Sequence, residues 1–155
     1  MEITYAPRGI LQIDDARITH KNFAGEGSPY NREGDRNFSL IIDDRDVADK
    51  LASQGWNVKV KEYDGSDEPF IFLPVKIKFS DFGPKVYLVS GRVKRELTEE
   101  TISCLDNMEI ECINMDIRPY DWEVNKQKGR TAYLHSMEVI QRIDRFAARY
   151  AEDER

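Results

Sequence analysis

The sequence predicts a mainly β domain, built as a small closed barrel with short helices added to it. Segments of strand length with alternating apolar and polar residues recur along the chain, whereas helical spacing is confined to short stretches. The first long segment, residues 9–23, keeps its apolar side chains on one face although the alternation slips by one residue at Asp14 and Asp15. A β-bulge produces such a slip and makes a strand coil strongly. A long, bent first strand is typical of a small barrel.

Turn and cap residues divide the first half of the chain into its elements. A second strand covers residues 37–42, and Asp43 or Asp44 then caps a short helix that ends at Gly55. The strands predicted next are residues 56–63, 70–79 and 85–90. Pro74 lies within the second of these, and since proline has no backbone N–H to donate, it predicts a sheet edge or a bulge. An open edge there would allow a second subunit to pair, giving a homodimer.

The second half of the chain adds a helix, a hairpin and a terminal helix. Residues 98–105 are predicted as a helix and residues 109–117 as a strand. A hairpin with its tip at residues 125–129 leads into the final long strand, residues 130–140. The tail then changes to helical spacing, which predicts an amphipathic C-terminal helix packed on the barrel, while residues 152–155 are polar and are expected to fray. The apolar residues of this helix are Ile143, Phe146, Ala147 and Tyr150.

Composition limits the class of protein. With 155 residues and 40% hydrophobic content, the chain is long enough for one domain over residues 1–155. Charged residues make up 34% of the chain and the mean hydropathy is −0.63, which argues against a membrane span. The first residues lack the basic and apolar regions of a signal peptide, so we expect an intracellular protein. Cys104 and Cys112 lack metal-ligand spacing, and we interpret them as ordinary thiols in a reducing compartment.

Lysine occupies alternate positions in two middle strands of a chain whose net charge is −6. Lys59 and Lys61 alternate with valines in one strand, and Lys76 and Lys78 alternate with aliphatic residues in the next. Because side chains alternate between the two faces of a strand, each strand should bury its aliphatic residues and present its lysines to water. Residues 56–97 hold 8 basic and 6 acidic side chains, whereas the flanking stretches are net negative. An acidic protein with positive charge concentrated on strand faces is expected to hold a polyanion.

No arrangement of residues in the sequence indicates catalysis. The two histidines, His20 and His135, lie far apart, and the order of residues suggests no Ser-His-Asp or Cys-His arrangement. The glycines do not form a Walker-type phosphate loop. The paired aspartates at positions 14–15 and 43–44 are better explained as a bulge and a helix cap than as a divalent-cation site. We therefore predict a non-enzymatic protein that requires no metal and no cofactor.

Three clusters combine aromatic, basic and flexible residues, a mixture that is unusual in a core. The first, in a glycine-rich loop after the first strand, consists of Tyr30, Arg32 and Arg36. The second, beside and at the predicted hairpin tip, consists of Arg118, Tyr120, Trp122, Lys126, Lys128 and Arg130. The third joins the alternating lysines to Lys85, Arg92, Lys94 and Arg95. Proteins hold single-stranded nucleic acid with cationic side chains along the phosphates and aromatic rings on which bases stack.

Several segments resemble those of bacteriophage-encoded single-stranded DNA-binding proteins. These segments are Asn22-Phe23-Ala24-Gly25, Tyr30-Asn31-Arg32-Glu33-Gly34-Asp35-Arg36-Asn37-Phe38, Gly55-Trp56-Asn57-Val58-Lys59, Leu73-Pro74-Val75-Lys76 and Arg118-Pro119-Tyr120-Asp121-Trp122. The resemblance extends from about residue 9 to about residue 148. It implies an OB-like five-stranded barrel with extra strands and short helices. It also implies non-enzymatic, largely sequence-independent coating of single strands during phage DNA replication and recombination, in the cytoplasm of a bacterial host.

The C-terminus departs from the pattern of many bacterial single-strand binders. Those proteins end in a long acidic tail that recruits partners, whereas here only Glu152-Asp153-Glu154 resembles such a tail and Arg155 follows it. Replication or recombination proteins are the further partners that the resemblance implies, and we do not expect a tail to recruit them.

The leading hypothesis is a protein that binds single-stranded DNA. Its candidate contact residues are Lys21, Tyr30, Arg32, Arg36, Phe38, Lys59, Lys61, Lys76, Lys78, Tyr87, Arg92, Arg118, Tyr120, Trp122, Lys126, Lys128 and Arg130. The basic side chains would neutralise phosphates, and Tyr30, Phe38, Tyr120 and Trp122 would stack bases. One alternative is a phage-encoded interaction or inhibitor module whose acidic surface mimics nucleic acid. The other is a Mg²⁺-dependent nucleic-acid enzyme that uses the paired aspartates.

Overall fold

The computed structural model describes residues 1–146, and most of its regular structure is β-strand. The strands within these residues are β1 Glu2–Tyr5, β2 Leu11–Asp14, β3 Ile18–Asn22, β4 Arg36–Ile41, β5 Lys59–Lys61, β6 Phe70–Ile77, β7 Lys85–Ser90, β8 Val93–Leu97, β9 Ile110–Val124 and β10 Gln127–Gln141. Up to residue 144 the helices are α1 Arg45–Ser53 and two 3₁₀ helices, Pro7–Gly9 and Ile102–Asn107. Over the described part of the chain, none of the helices is long and apolar enough to cross a membrane. The predicted mainly β class with few helices is confirmed.

The strands join into one sheet whose main path of hydrogen-bonded neighbours is β1-β2-β9-β10-β6-β4-β3. β5 pairs with β6, and β7 pairs with both β10 and β8. β6 runs antiparallel to β4 and parallel to β10. β2 and β3 follow each other directly along the chain. The path of paired strands that begins with β1 and β2 therefore ends at β3, the strand that comes next after β2 in the sequence.

The single bulged strand predicted over residues 9–23 is instead two strands, β2 and β3, which are separated by residues 15–17 and pair with different neighbours. The chain kinks at Asp15, where the alternation slips. Asp15 has a left-handed backbone, with a φ of 54°, and its N–H donates to Oδ1 of Asn114 at 3.0 Å. The next residue, Ala16, is buried, and its N–H donates to the carbonyl oxygen of Ile113 at 2.8 Å. Apolar side chains therefore stay inward on both sides of the kink, as the alternation predicted.

The core is filled from the strands and covered by the helices. Phe38 from β4, Val75 from β6 and Ala132 from β10 are all fully buried. The side chain of Asp44 caps α1, as predicted, because it accepts hydrogen bonds from two backbone N–H groups of the first turn. α1 then buries Leu51 against the strands.

Several predicted elements differ in the structure. β1 and β8 were not predicted, because they are only four and five residues long and most of their residues are exposed. The strand predicted over residues 56–63 is reduced to β5, and Trp56 forms only an isolated parallel bridge with Arg130. The helix predicted over residues 98–105 is a short 3₁₀ helix. The predicted C-terminal amphipathic helix falls largely on residues 147–155, which lie outside the described residues.

The edge predicted at Pro74 is wrong, because β6 has neighbours on both sides. β4 pairs along one side, while β5 pairs with β6 as far as Phe72 on the other side and β10 pairs with it from Val75 onwards. Pro74 lies where the neighbour on that side changes, and a residue without an N–H donor is tolerated at such a gap. The open strand that would have paired with a second subunit is therefore covered within the chain.

Candidate nucleic-acid interface

A lysine and a tyrosine lie side by side where β6 and β10 meet. The parallel register pairs Val75 with Ala132 and Lys76 with Tyr133. Because Val75 and Ala132 are buried, alternation turns Lys76 and Tyr133 to the outside of the sheet. Lys78 follows two residues later and is exposed on the same face.

The β9–β10 hairpin continues this outer face with aromatic and basic side chains. Arg118 is paired with Tyr133, and its guanidinium carbon lies 4.8 Å from the centroid of the Tyr133 ring. The ring of Tyr120 meets the ring of Tyr133 edge-on, with 5.9 Å between centroids. Trp122 is paired with Gly129, where a Cβ atom would overlap the indole ring. The indole therefore lies directly on the backbone of β10.

The short strand β5 adds two more lysines to the same face. Lys59 is paired with Phe72 and Lys61 with Phe70, and directly paired residues project from the same face of a sheet. Phe70 and Phe72 alternate along β6 with the same parity as Lys76, so the predicted lysine rows share one face. Val60 was expected to be buried, but it is exposed, like the two lysines beside it in β5.

We call this surface the cationic face and define it by Lys59, Lys61, Lys76, Lys78, Arg118, Tyr120, Trp122 and Tyr133. A groove of about 580 Å³ lies along part of it. Lys76, Lys78 and Tyr133 line the groove together with Asn37 and Ser39 of β4. The loop before β4, residues 25–35, borders the groove on the side away from the hairpin.

Hydrogen bonds within the chain order this loop. The side-chain amide of Asn31 donates to the backbone oxygens of Glu26 at 2.8 Å and Asp35 at 3.1 Å, and its Oδ1 accepts from Asn37 at 2.9 Å. Tyr30 stands at the loop tip with 98% of its surface exposed. Arg32 is also exposed and lies 3.7 Å from a carboxylate oxygen of Asp35.

Two further predicted arginines form ion pairs within the protein. Arg36 forms an ion pair with Glu99 at 3.2 Å. Arg130 donates from Nε and Nη2 to the two carboxylate oxygens of Asp121, at 2.7 and 3.3 Å, and its guanidinium carbon lies 5.4 Å from the Trp56 ring centroid. The hydrogen bond from Arg130 lowers the pKa of Asp121 below its ordinary value. These arginines hold loops and strands together, and their charges are partly neutralised.

Four further candidates lie elsewhere. Phe38 is 1% exposed and stacks on Phe23 in the core, so no base can reach its ring. The prediction that Phe38 stacks on a base is therefore wrong. Lys21 donates to the carbonyl oxygens of Leu105 and Met108 near the second 3₁₀ helix. Tyr87 and Arg92 belong to the β7–β8 hairpin, which pairs with the other end of β10.

The remaining candidates, Lys126 and Lys128, are exposed at the β9–β10 tip. Tyr133, Asn37 and Ser39 were missed by the candidate list. The alternation of Tyr133 with Ala132 and Leu134 was the signal that could have identified the tyrosine as outward-facing. Among the described residues, no group of three or more His, Cys, Asp or Glu side chains is arranged to hold a metal ion.

Sequence and fold are both similar to those of known phage proteins. A family model described as a putative phage ssDNA-binding domain matches residues 2–154. Among solved structures, the chain is similar to the single-stranded DNA-binding protein from bacteriophage Enc34 in complex with ssDNA, with a TM-score of 0.57 and 15% identity over 92% of this chain and 90% of that chain. A C-terminal truncation of the Enc34 protein has a TM-score of 0.56 and 14% identity, over 92% of this chain and 91% of that one. At these identities the likeness shows a shared fold. No curated protein matches the sequence.

Proposed function

Because this chain belongs to the family of putative phage ssDNA-binding domains, we propose that it binds single-stranded DNA along the cationic face. The register between β6 and β10, which sets Lys76 beside Tyr133, supports this choice of surface. In the hairpin, Tyr133 in turn lies beside Arg118 and Tyr120. Rows of cations and rows of rings are thus neighbours on one surface, which is the combination that single strands require.

The two kinds of side chain divide the work of binding. Lys59, Lys61, Lys76 and Lys78 neutralise phosphates, while Tyr120, Trp122 and Tyr133 offer rings to the bases. Stacking on a ring face is open to every base, so binding of this kind is largely independent of sequence. Tyr30 and Arg32, in the loop that borders the groove, contact the bound DNA.

The order of strands supports an OB-like barrel as the scaffold of this face. If β2 and β3 are counted as one bent strand, five strands form a ring: β2/β3, β4, β6, β10, β9 and back to β2. In this arrangement β1, β5, β7 and β8 are the additions to the barrel.

The biological role follows from the family. The protein coats exposed strands during phage DNA replication and recombination in the host cytoplasm, as a single domain that spans the residues matched by the family model. Its role is non-enzymatic, since the family is one of binding domains.

The proposal is tested by titrating the protein with oligo(dT) at several salt concentrations. Each phosphate contact with a single strand adds about −0.7 to the slope of log affinity against log salt. The double variant Lys76→Glu, Lys78→Glu should weaken binding to all sequences alike and make this slope shallower by about 1.4.

The matched control carries the same charge change on α1, outside the cationic face. Arg45→Glu, Lys50→Glu should leave the slope almost unchanged. Salt-independent affinity of the unmodified protein, or equal slopes for both double variants, would contradict phosphate binding at this face. Co-purification of a protein partner without any oligonucleotide shift would favour an interaction module.

A further inference from the structure

Four ring-bearing side chains gather at the N-terminal end of β6, next to the cationic face. Phe70 and Phe72 stack with 5.3 Å between their centroids. The ring of His20 meets both edge-on, at 6.1 Å from Phe70 and 6.3 Å from Phe72. Tyr63 lies against Phe70 at 6.5 Å. We call these residues the aromatic cluster.

The aromatic cluster draws on three parts of the chain that are distant in sequence. His20 comes from β3, where the pairing with β4 becomes irregular and His20 itself has a left-handed backbone, with a φ of 51°. Tyr63 comes from the turn after β5. Phe72 is buried at the base of the cluster, whereas Tyr63 is 53% exposed and His20 is also open to solvent. The cluster is therefore anchored in the sheet and accessible from outside.

The aromatic cluster continues the cationic face without a break. Phe70, Phe72, Lys76 and Lys78 share one face of β6, and the distance from the first to the last is about 26 Å at 3.3 Å per residue. Nζ of Lys61 lies 6.0 Å from the centroid of Phe72, so a cation flanks the rings. A single strand that follows the lysines of β6 would reach these rings next.

The charge of the following turn sets a limit to this path. Residues 62–69 carry four carboxylates, which repel phosphates. A DNA strand can thus pass Lys61 and place a base on the rings. Its phosphates would be repelled by the carboxylates if it continued over the turn.

We propose that the aromatic cluster is a terminal base-stacking subsite of the DNA track, with Lys59 and Lys61 holding the adjacent phosphates. This inference rests on the proposed function of the cationic face. It assigns His20 and Tyr63 to the interface and gives the bound strand a defined end. The occupant is a nucleobase because the rings are contiguous with the lysine row.

The test uses variants that change the exposed rings and leave Phe72 in place. Tyr63→Ala removes one ring, and His20→Asn removes the other with a residue that tolerates a left-handed backbone. Tyr5→Ala is the control, since Tyr5 is an exposed tyrosine on β1 whose ring contacts Nζ of Lys50 on α1 and belongs to neither the aromatic cluster nor the cationic face. Thermal unfolding should show that the Tyr5 control and the double variant Tyr63→Ala, His20→Asn both fold as the unmodified protein does.

Affinities are measured with oligo(dT) of about 4 to 16 nucleotides, the range of sites on single OB folds. On the longer oligonucleotides the affinity of the double variant Tyr63→Ala, His20→Asn should be lower than that of the unmodified protein by a factor of about five or more. The loss of one base stack lowers the affinity by at least about this factor. On the shortest ones its loss of affinity should be smaller, because a short oligonucleotide can bind at Lys76 and Lys78 without reaching the rings. An oligonucleotide with 5-iodouracil at one end should photocross-link to Tyr63 or His20.

The outcomes separate this subsite from the proposed function itself. If the unmodified protein and the Tyr5 control bind, and the double variant binds equally well at every length, the aromatic cluster is not a subsite. If a loss of affinity is the same at all lengths, the cluster does not lie at the end of the track and the inference is overturned. If the unmodified protein fails to bind any oligonucleotide, the proposed function fails first.

Discussion

The two halves of the β9–β10 hairpin are continuous in backbone but opposite in character. The half nearer the core, residues 110–117 and 134–141, has three acidic and no basic side chains and buries Ile117 completely. The half nearer the tip, residues 118–133, has four basic and two acidic side chains. In the tip half Tyr120 is 54% and Trp122 is 38% exposed.

The change occurs within one step of β9, between Ile117 and Arg118. On the core side, β2 and β7 pair with the hairpin and its inward residues pack against the rest of the domain. On the tip side, large rings face water, and burial within the chain does not account for them. One hairpin thus contributes to folding at one end and, by our proposal, to binding at the other, so substitutions should separate the two properties.

The largest effect is expected from Ile117→Ala in the core half. Removing most of a fully buried isoleucine should lower the free energy of unfolding by about 2–5 kcal/mol, because transfer free energy is lost and a cavity is left. Urea unfolding measures this loss. The affinity of the folded fraction for oligo(dT) should stay unchanged. A stability close to that of the unmodified protein would contradict the division between the halves.

A smaller effect, on binding alone, is expected from Tyr120→Ala in the tip half. One lost base stack should weaken ssDNA binding by about 1–3 kcal/mol, measured by fluorescence titration. Because the ring is half-exposed, the free energy of unfolding should change by less than about 1 kcal/mol. Tyr5→Ala serves as the control. It should not combine a loss of affinity for ssDNA with an unchanged free energy of unfolding. A Tyr120→Ala variant that is markedly less stable but binds ssDNA with unchanged affinity would reverse the comparison.

The smallest effect concerns the ion pair between Arg130 and Asp121. Arg130 keeps the pKa of Asp121 below its ordinary value, so the pair stabilises the fold above the pKa of the unfolded state. This contribution is lost as the pH falls through the lower pKa of the folded state. It is small, because the side chain of Asp121 is 64% exposed and solvent screens the pair.

Arg130→Gln should therefore raise the pKa of Asp121 toward its ordinary value, which an NMR titration of the carboxyl group measures. The stabilities of the two proteins should differ slightly at neutral pH and converge in acid. An unchanged pKa of Asp121 would show that the bidentate contact does not persist in solution.

Local patterns in the sequence predicted the elements that bury a regular apolar face. The kink at Asp15, the cap at Asp44 and the exposed row of Lys76 and Lys78 follow from alternation and cap chemistry, which act over a few residues. β8 has no such pattern, because four of its five residues are exposed. Its pairing depends on β7 and the rest of the sheet, which no short window contains.

The interface was predictable only in part, because it depends on register between distant strands. Phe38 is aromatic and lies beside arginine and asparagine in sequence, yet its parity on β4 turns it into the core. Arg36 and Arg130 look available in sequence, but Glu99 and Asp121 reach them through the fold. Tyr133 gains its importance from the lysine on a strand more than fifty residues earlier.

Because Gly129 has no side chain, the indole of Trp122 can pack on its backbone, where its fluorescence can report on binding. The chain has two tryptophans: Trp56 is buried beside Arg130, whereas Trp122 packs against Gly129 and is partly exposed. With excitation that tyrosine does not absorb, changes in emission on adding ligand would therefore be expected to come from Trp122. Replacing Gly129 with any larger residue would push that indole off its support and alter the signal even where affinity survived.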